Sequence, residues 1–354
     1  MTSSNIPDFL SYSATRHASD IFIIAGRPLS VKIDGKLSTY GERLMPADTD
    51  VLIRQIYQLA NNRNIDPFLN TGDDDFSFSV PGLSRFRVNA YRQRGSLAAV
   101  IRVIAFELPN PDILHIPEDV MSTADFTKGM VLVTGPAGSG KSTTMACLVD
   151  KINHSREGHI ITLEDPLEYL HRHDRCIVSQ REICTDTESY LVSLRATLRQ
   201  SPDVILLGEM RDYETIQTAM TAAETGHLVL SSLHTIGAVN TIGRIVDVFE
   251  PSQQRQISIQ LSMVLQAVIS QQLVPDVEGH NIPVFEVMRL NPAIRNMIRD
   301  NKVHQIDGVI SSSAHEGMRS MDQSLLELFR QNRITKETAL KYAANADMLK
   351  RKLL

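Results

Sequence analysis

One glycine-rich stretch constrains the fold of this chain more than any other feature: Gly135-Pro136-Ala137-Gly138-Ser139-Gly140-Lys141-Ser142-Thr143. It fits the pattern G-x-x-x-x-G-K-[ST], in which glycines let backbone N–H groups turn inward around phosphate oxygens. The apolar run 130–133 before it reads as a buried strand, and residues 144–149 after it read as a helix. Strand, loop and helix in this order predict a phosphate-binding loop, and the helix N-terminus adds partial positive charge there.

Two side chains of this loop have expected roles. Lys141, expected to be an exposed charge, can reach the β- and γ-phosphates of a nucleoside triphosphate, and Ser142 can hold Mg²⁺. All nine residues from Gly135 to Thr143 are therefore predicted to bind nucleotide. A chance glycine-rich turn is the alternative interpretation, and the strand and helix on either side argue against it.

Composition limits the other classes that this chain could belong to. Its 354 residues suggest two domains or one large one, and a net charge of −5 gives no basic field to attract nucleic acid. The apolar runs are strand-length, far short of the roughly 20 residues that cross a bilayer, and no signal peptide is expected. The three cysteines form no C-x-x-C pair, so neither structural zinc nor a disulfide framework is expected, as in a reducing cytosol.

Residues 1–107 are predicted to form a small α+β domain. Its predicted elements are strands at 19–24, 29–33, 75–80, 85–91 and 98–104, a helix at 47–60 and a hairpin turn at Asp34-Gly35. Pro109, Pro111 and Pro117 then disfavour a helix, so residues 108–117 are predicted to be a semi-rigid linker.

Residues 118–354 are predicted to form an α/β domain. Strand and helix patterns alternate through 130–134, 141–153, 159–163, 203–207, 213–224 and 227–231. This alternation predicts a parallel sheet with helices on both faces. The section from about residue 251 to the end is predicted to be mainly helical.

Two strands of this domain are predicted to end in carboxylates. Asp203 to Leu207 is a buried strand followed by Gly208 and Glu209, a Walker B-like element in which glycine stands where many such enzymes place an aspartate. Glu209 is therefore expected to act on a metal through water, and an ordinary surface glutamate is the alternative. Glu164 follows the apolar strand at 160–163 and is the candidate for polarising an attacking water and for metal contact. Asp165 beside it is as readily a turn-former.

Histidine and arginine complete the predicted site. His234 follows the strand at 228–233 and is expected to sense the γ-phosphate, although a lone histidine is usually structural or solvated. A cluster of arginines lies in the first domain: Arg85, Arg87, Arg92, Arg94 and Arg102. The cluster is predicted to reach a nucleotide in a neighbouring subunit, because a P-loop site needs extra cation at the γ-phosphate. A solvated edge strand is the alternative.

Four sequence blocks resemble the Walker A, Asp box, Walker B and His box of the type II/type IV secretion ATPase superfamily: GPAGSGKST, ITLEDPLEY, SPDVILLGEMRD with TAAETGH, and LVLSSLHT. Residues 293–300, AIRNMIRD, are similar to the AIRNLIRE motif of the twitching-motility retraction ATPases, the PilT family. Met297 and Asp300 depart mildly from that motif. Ile294, Met297 and Ile298 also give this helix one apolar face, so an ordinary amphipathic helix is the alternative to a lever.

This resemblance implies a PAS-like N-terminal domain and a RecA-like ATPase domain in a cytoplasmic homohexamer. ATP and Mg²⁺ would be its cofactors, and hydrolysis would drive retraction of a type IV pilus at the inner face of the cytoplasmic membrane, with an inner-membrane platform protein as partner. Assembly ATPases usually carry a longer N-terminal region and a four-cysteine zinc site, and neither is expected here. An accessory paralogue, an extension or secretion ATPase, a nucleic-acid translocase and a non-enzymatic regulator are the alternatives; the acidic balance argues against nucleic acid.

Overall fold

The computed structural model describes residues 5–33, 35–104 and 108–353. The chain forms two compact units, Met1–Glu107 and Leu108–Leu354. Residues 108–117, expected to be a linker, belong to the second unit, where the carbonyl oxygen of Pro109 lies 3.4 Å from the Sγ atom of Cys147. The predicted turn at Asp34-Gly35 falls partly on Asp34, which lies outside the described residues.

The first unit is an antiparallel sheet with helices. Its described elements are α1 (Ile6–Thr15), β1 (Asp20–Ile23), β2 (Pro28–Ile33), β3 (Lys36–Arg43), α2 (Pro46–Leu59), α3 (Asp66–Thr71), β4 (Asp73–Val80), β5 (Ser84–Gln93) and β6 (Ser96–Ile104). The sheet order is β3-β2-β1-β6-β5-β4. The helices bury their apolar residues against the sheet, where Ile53, Ile56, Phe86 and Ile101 are inaccessible to solvent.

The predicted strands at 85–91 and 98–104 are present as β5 and β6, which form a hairpin. Gln93 pairs with Ser96, so Arg94 and Gly95 form a two-residue turn with φ angles of 50° and 79°. Positive φ at both central positions matches the twist of the flanking strands. The turn therefore fixes which residues of β5 and β6 face each other.

The second unit is an α/β domain. Its described elements are α4 (Glu118–Met121), β7 (Gly129–Thr134), α5 (Lys141–Ser155), β8 (Gly158–Glu164), β9 (Cys176–Glu182), α6 (Tyr190–Thr197), β10 (Val204–Leu207), α7 (Tyr213–Glu224), β11 (Leu228–Leu233), α8 (Ala238–Asp247), α9 (Pro251–Val264), β12 (Leu265–Pro275), β13 (Asn281–Arg289), α10 (Pro292–Arg299), α11 (Ile306–Ser312), α12 (Met321–Arg330), α13 (Lys336–Tyr342) and α14 (Ala346–Lys352), with 3₁₀ helices at Ser122–Asp125, Val303–Gln305 and Ala314–Glu316.

Its sheet has the order β13-β12-β7-β11-β10-β8-β9. All neighbouring strands run parallel except β12 and β13, which form an antiparallel pair at one edge. Apolar cores cover both faces of the sheet, as expected for parallel strands connected by helices. The strands β12 and β13 lie in the section expected to be mainly helical, so that expectation missed a hairpin that joins the main sheet.

The direction of the strands positions the predicted site. The carboxyl ends of β7, β11, β10 and β8 meet at one edge of the sheet, where ligands bind in α/β folds. The glycine-rich loop, His234, Glu209 and Glu164 each follow or end one of these four strands. Across residues 5–33, 35–104 and 108–353, none of the helices has the length and apolar character needed to cross a bilayer.

Candidate active site

The glycine-rich loop connects β7 to α5, and its backbone requires glycine at three positions. Gly135, Gly138 and Gly140 have φ angles of 144°, 75° and 86°, a region that other residues rarely adopt. Space is limiting too, because a Cβ atom at Gly135 would lie 2.1 Å from the backbone oxygen of Gln271. The loop therefore needs glycine both for its turn and for the close approach of β12.

Lys141 is buried at the first position of α5 and not exposed as the sequence suggested. Only 8% of the residue is accessible, and its Nζ atom donates hydrogen bonds to the carbonyl oxygens of Gly135 and Pro136 at 2.9 Å each. Nζ also lies 3.5 Å from Nδ1 of His234. Burial lowers the pKa of Lys141, while the negative charges of Glu209 and Glu168 act in the opposite direction.

His234 bridges the lysine and the Walker B glutamate. Its Nε2 atom lies 3.3 Å from Oε2 of Glu209. An ammonium group can only donate, so Nδ1 of His234 must offer its lone pair to Lys141. Nε2 faces the carboxylate of Glu209, so the ring contacts the lysine on one side and the glutamate on the other.

Glu209 follows β10 and lies beside a cation that the sequence analysis did not assign. The Nε atom of Arg211 is 2.7 Å from the same Oε2 that faces His234. The glutamate side chain is 15% exposed, whereas that of Arg211 is 75% exposed. The sequence signal for this contact is that Arg211 follows Glu209 by two positions.

Gly208 leaves room for a tyrosine in front of this strand. A Cβ atom at Gly208 would lie 2.8 Å from the hydroxyl oxygen of Tyr190, a residue of α6 that lines the same cleft. An aspartate side chain at this position would have to displace the hydroxyl group of Tyr190, so glycine fits here better than the aspartate of the common Walker B pattern. Glu209 is consequently the carboxylate that β10 delivers to the cleft.

Glu164 ends β8, next to β10 in the sheet. It is partly buried, and burial raises the pKa of its carboxyl group to about 7, with further upward pressure from the nearby Glu168. A carboxylate with this pKa can accept a proton close to neutral pH. Tyr169 lies in the loop that follows β8. Its hydroxyl oxygen is 2.9 Å from Oγ1 of Thr143, so this loop contacts the P-loop directly.

These elements enclose a cleft of about 410 Å³. It brings together Ala137, Gly138, Gly140, Lys141, Ser142, Thr143, Glu164, Glu209 and His234 of the predicted site. Tyr169, His171, Tyr190 and Arg211 also line it and were not assigned roles from the sequence. Burial lowers the pKa of His171 to about 4, so its ring is neutral at pH 7.

Oxygen donors suited to Mg²⁺ face this cleft. The hydroxyl group of Ser142 and the carboxylates of Glu164 and Glu209 all line it. Oxygen ligands are those that Mg²⁺ prefers, commonly one or two carboxylates together with phosphate oxygens and water. The donor set therefore fits the predicted metal.

The predicted arginine cluster belongs to the first unit. Arg87 forms an ion pair with Asp75 at 2.7 Å, Arg102 with Asp20 at 3.3 Å, and Nη1 of Arg85 is 3.3 Å from the hydroxyl oxygen of Ser79. The two other members, Arg92 on β5 and Arg94 in the hairpin turn, are exposed. Thus, three of the five arginines contact groups within their own unit, and two extend into solvent.

Comparison with known proteins agrees with this site. Residues 5–327 match the family described as Type II/IV secretion system protein. The chain is 42% identical to the type IV pilus retraction ATPase PilT of Pseudomonas aeruginosa over 335 residues, covering 95% of this chain and 97% of that protein. It is 38% identical to the type IV pilus ATPase PilU of the same organism over 333 residues, covering 94% and 87%.

A solved structure extends this similarity to the fold. The crystal structure of the pilus retraction motor PilT with bound ADP matches with a TM-score of 0.89 and 43% identity, covering 98% of this chain and 99% of that one. This match confirms the predicted fold class. The chain therefore belongs to the Type II/IV secretion system protein family and, within it, to the PilT family of retraction ATPases.

Proposed function

We propose that this chain is the motor ATPase of a hexameric ring that uses ATP hydrolysis to retract type IV pili. The observation that carries the proposal is the convergence of Lys141, Ser142, Glu164, Glu209 and His234 on one cleft beside the P-loop. Phosphoryl transfer needs positioned phosphates, a metal, an oriented water and neutralised charge, and these residues offer a candidate for each need. The name of the relative PilT, a type IV pilus retraction ATPase, supports pilus retraction as the output.

Nucleotide binding begins at Lys141. Its ammonium group uses its three N–H bonds on Gly135, Pro136 and His234. The β- and γ-phosphate oxygens of ATP would take over these contacts, since anionic oxygens are stronger acceptors than backbone carbonyls. Backbone N–H groups of the loop and the N-terminus of α5 add favourable charge at the same place.

The hydroxyl group of Ser142 and the two glutamates would hold Mg²⁺ beside the phosphates, directly or through water. Mg²⁺, when bound, neutralises developing charge on the phosphate oxygens. Glu164 has the pKa of an effective proton acceptor near pH 7, and we assign it the orientation and polarisation of the attacking water. Glu209, which contacts His234 and Arg211, would orient the water ligands of the metal.

His234 would report the state of the γ-phosphate. Its ring lies between Lys141 and Glu209, so a phosphate that draws Lys141 away also removes the hydrogen-bond donor facing Nδ1. The loop after His234 leads directly into α8. Loss of this contact would therefore release a segment that is continuous with a helix of the second unit.

In a closed ring each subunit would present one surface to the nucleotide of its neighbour. We propose that the neighbouring subunit contributes cations to this nucleotide from its arginine cluster, which consists of Arg85, Arg87, Arg92, Arg94 and Arg102. The ring would lie at the inner face of the cytoplasmic membrane, against an inner-membrane platform protein of the pilus. An accessory retraction paralogue is the second candidate, and an extension or secretion ATPase is the third.

Deleting the gene and scoring surface pili and twitching tests the proposal. Retraction predicts more surface pili and no twitching in the deletion strain. The parent gene should restore normal piliation and twitching, and a gene that encodes Lys141→Ala should not. Cells without pili would assign the chain to extension and overturn the proposal. Unchanged piliation with reduced twitching force would favour the accessory role.

A further inference from the structure

The strand β12 places two buried polar residues next to the start of the P-loop. Ser270 is fully buried and Gln271 is 3% exposed. Ser270 pairs with Thr134, the last residue of β7 before the loop. Because consecutive residues of a strand point to opposite faces of the sheet, these two side chains face different neighbours.

Gln271 contacts the P-loop and its helix. Its Oε1 atom accepts a hydrogen bond of 2.7 Å from the hydroxyl group of Thr144, which is fully buried in the first turn of α5. A Cβ atom at Gly140 would lie 2.9 Å from Nε2 of Gln271, and one at Gly135 would lie 2.1 Å from its backbone oxygen. Gln271 thus lies against both ends of the loop that carries Lys141.

Ser270 contacts the loop that carries His234. Its Oγ atom accepts a hydrogen bond of 2.8 Å from the backbone N–H of Gly237, three residues after the histidine. Gly237 precedes α8, which has no side-chain cap of its own at this residue. Glu286, paired with Ser270 across β12 and β13, accepts the next N–H, that of Ala238, at 2.9 Å.

We propose that Ser270 and Gln271 are positioning residues that set the distance between Lys141 and His234 from the two faces of one strand. Gln271 fixes the P-loop and the start of α5, and Ser270, assisted by Glu286, fixes the loop after β11. The contact of 3.5 Å between Nζ of Lys141 and Nδ1 of His234 then depends on a strand that contributes no side chain to the chemistry. The proposal rests on the ATPase function assigned above.

The two residues should affect different kinetic constants. Gln271 supports the loop that binds phosphates, so its loss should weaken nucleotide binding. Ser270 supports the loop of the candidate γ-phosphate sensor, so its loss should lower kcat and leave KM for ATP close to that of the parent. A role in folding alone predicts lower thermal stability with neither constant changed.

The test of the Gln271 contact is a double-mutant cycle with Thr144. Thr144→Val and Gln271→Met each remove one side of the hydrogen bond at similar volume and should weaken binding of the fluorescent nucleotide mant-ADP about tenfold. The double variant should bind no worse than the weaker single one, and Thr144→Ser should bind like the parent. Gln272→Met is the matched control, because the neighbouring Gln272 bonds the carbonyl oxygen of Tyr342 instead.

The test of Ser270 is Ser270→Ala, with an expected loss of about tenfold in kcat at unchanged KM. Ser324→Ala is its control, because Ser324 is a buried serine that donates to the carbonyl oxygen of Phe285. Circular dichroism and the mass of the ring check that each variant is folded. If Gln271→Met does not fold, Thr144→Val alone tests the contact with the loop.

Parent-like mant-ADP affinity in folded Thr144→Val, or parent-like kcat in Ser270→Ala, overturns the proposal. A parent protein that hydrolyses no ATP contradicts the proposed function instead, while mant-ADP binding still tests the contact between Gln271 and Thr144.

Discussion

The Nδ1 atom of His234 lies 3.5 Å from the ammonium nitrogen of Lys141. The other ring nitrogen is 3.3 Å from Glu209, so one imidazole connects Lys141 to the glutamate that follows β10. A nucleotide that draws Lys141 toward its phosphates would remove the donor at Nδ1. Under the proposed function, we therefore expect the state of the γ-phosphate to be coupled to the orientation of the His234 side chain.

Removal of Lys141 tests the phosphate-binding loop. We expect Lys141→Ala to abolish ATPase activity, because Lys141 is the cation that α5 places at its first position, beside the loop. The variant should keep its circular-dichroism spectrum and ring mass, and Lys128→Ala, an exposed lysine before β7, is the control. Activity above one-tenth of the parent, roughly 1.4 kcal/mol of barrier, would show that this loop is not the catalytic site.

Two glutamine substitutions separate binding from hydrolysis. Glu164→Gln and Glu209→Gln should each bind mant-ADP like the parent and hydrolyse ATP about 10²-fold more slowly or worse, the usual scale for a lost acid–base group. Glu337→Gln, at an exposed position in α13, should leave both measurements unchanged. Loss of nucleotide binding with normal turnover of the bound fraction would contradict the assigned roles.

The raised pKa of Glu164 makes a prediction about stability. The carboxyl group keeps its proton up to about pH 7 in the folded protein but only to about 4.5 when unfolded. The folded state therefore binds more protons between these values, so the contribution of this group to the free energy of unfolding is fully present below about pH 4.5 and falls as the pH rises.

Melting curves without nucleotide should show this effect as a difference between the parent and Glu164→Gln. The variant mimics the protonated acid, so the two Tm values should agree near pH 4, and the parent should melt a few degrees lower at pH 8. Parallel Tm curves from pH 4 to pH 8 would show that the carboxyl group titrates normally.

Local sequence signals were sufficient to predict the main elements of the site. The apolar run before the loop is β7, the following helix is α5, and the strands that deliver Glu164, Glu209 and His234 have the predicted type. Each of these elements combines a buried apolar run with a motif at its end, and both are encoded within about ten residues.

The remaining features depend on contacts between distant residues. Gln271 meets Thr144, which precedes it by 127 positions, and nothing in the local pattern of either residue indicates the other. The hairpin of β12 and β13 was missed because its section also contains several helices, and its apolar runs fit either structure. Likewise, the space in front of Gly208 is taken by Tyr190 of α6, a packing relationship that spacing cannot predict.

Mixing two inactive proteins tests completion of the site between subunits. Arg92 and Arg94 are the cleaner targets, because Arg87 and Arg102 pair with carboxylates of their own unit. We expect an Arg92→Ala/Arg94→Ala protein and a Lys141→Ala protein to be inactive alone and to regain partial activity together. About a quarter of the interfaces in a random one-to-one ring would unite an intact P-loop with intact arginines. No recovery, with subunit exchange proven by mass, would count against completion in trans.

The helix α10 offers a test of coupling between hydrolysis and movement. Ile294 and Ile298 are buried in the core of the second unit, and Met297 is partly buried against it, so truncating them would cost on the order of 2–5 kcal/mol and confuse the result. Arg295 and Arg299 are exposed, and exposed substitutions usually change stability by within about 0.5 kcal/mol.

The helix carries no phosphate-binding group, so we expect Arg295→Ala/Arg299→Ala to form rings with near-normal ATPase activity and to fail in pilus retraction. Arg330→Ala/Arg351→Ala, two exposed arginines of α12 and α14, is the matched control and should support twitching. Its failure would show that retraction is sensitive to loss of surface charge in general. Normal twitching by the α10 variant would show that this helix is an ordinary amphipathic element, whose function is to cover the core with Ile294 and Ile298 and not to transmit the state of the nucleotide.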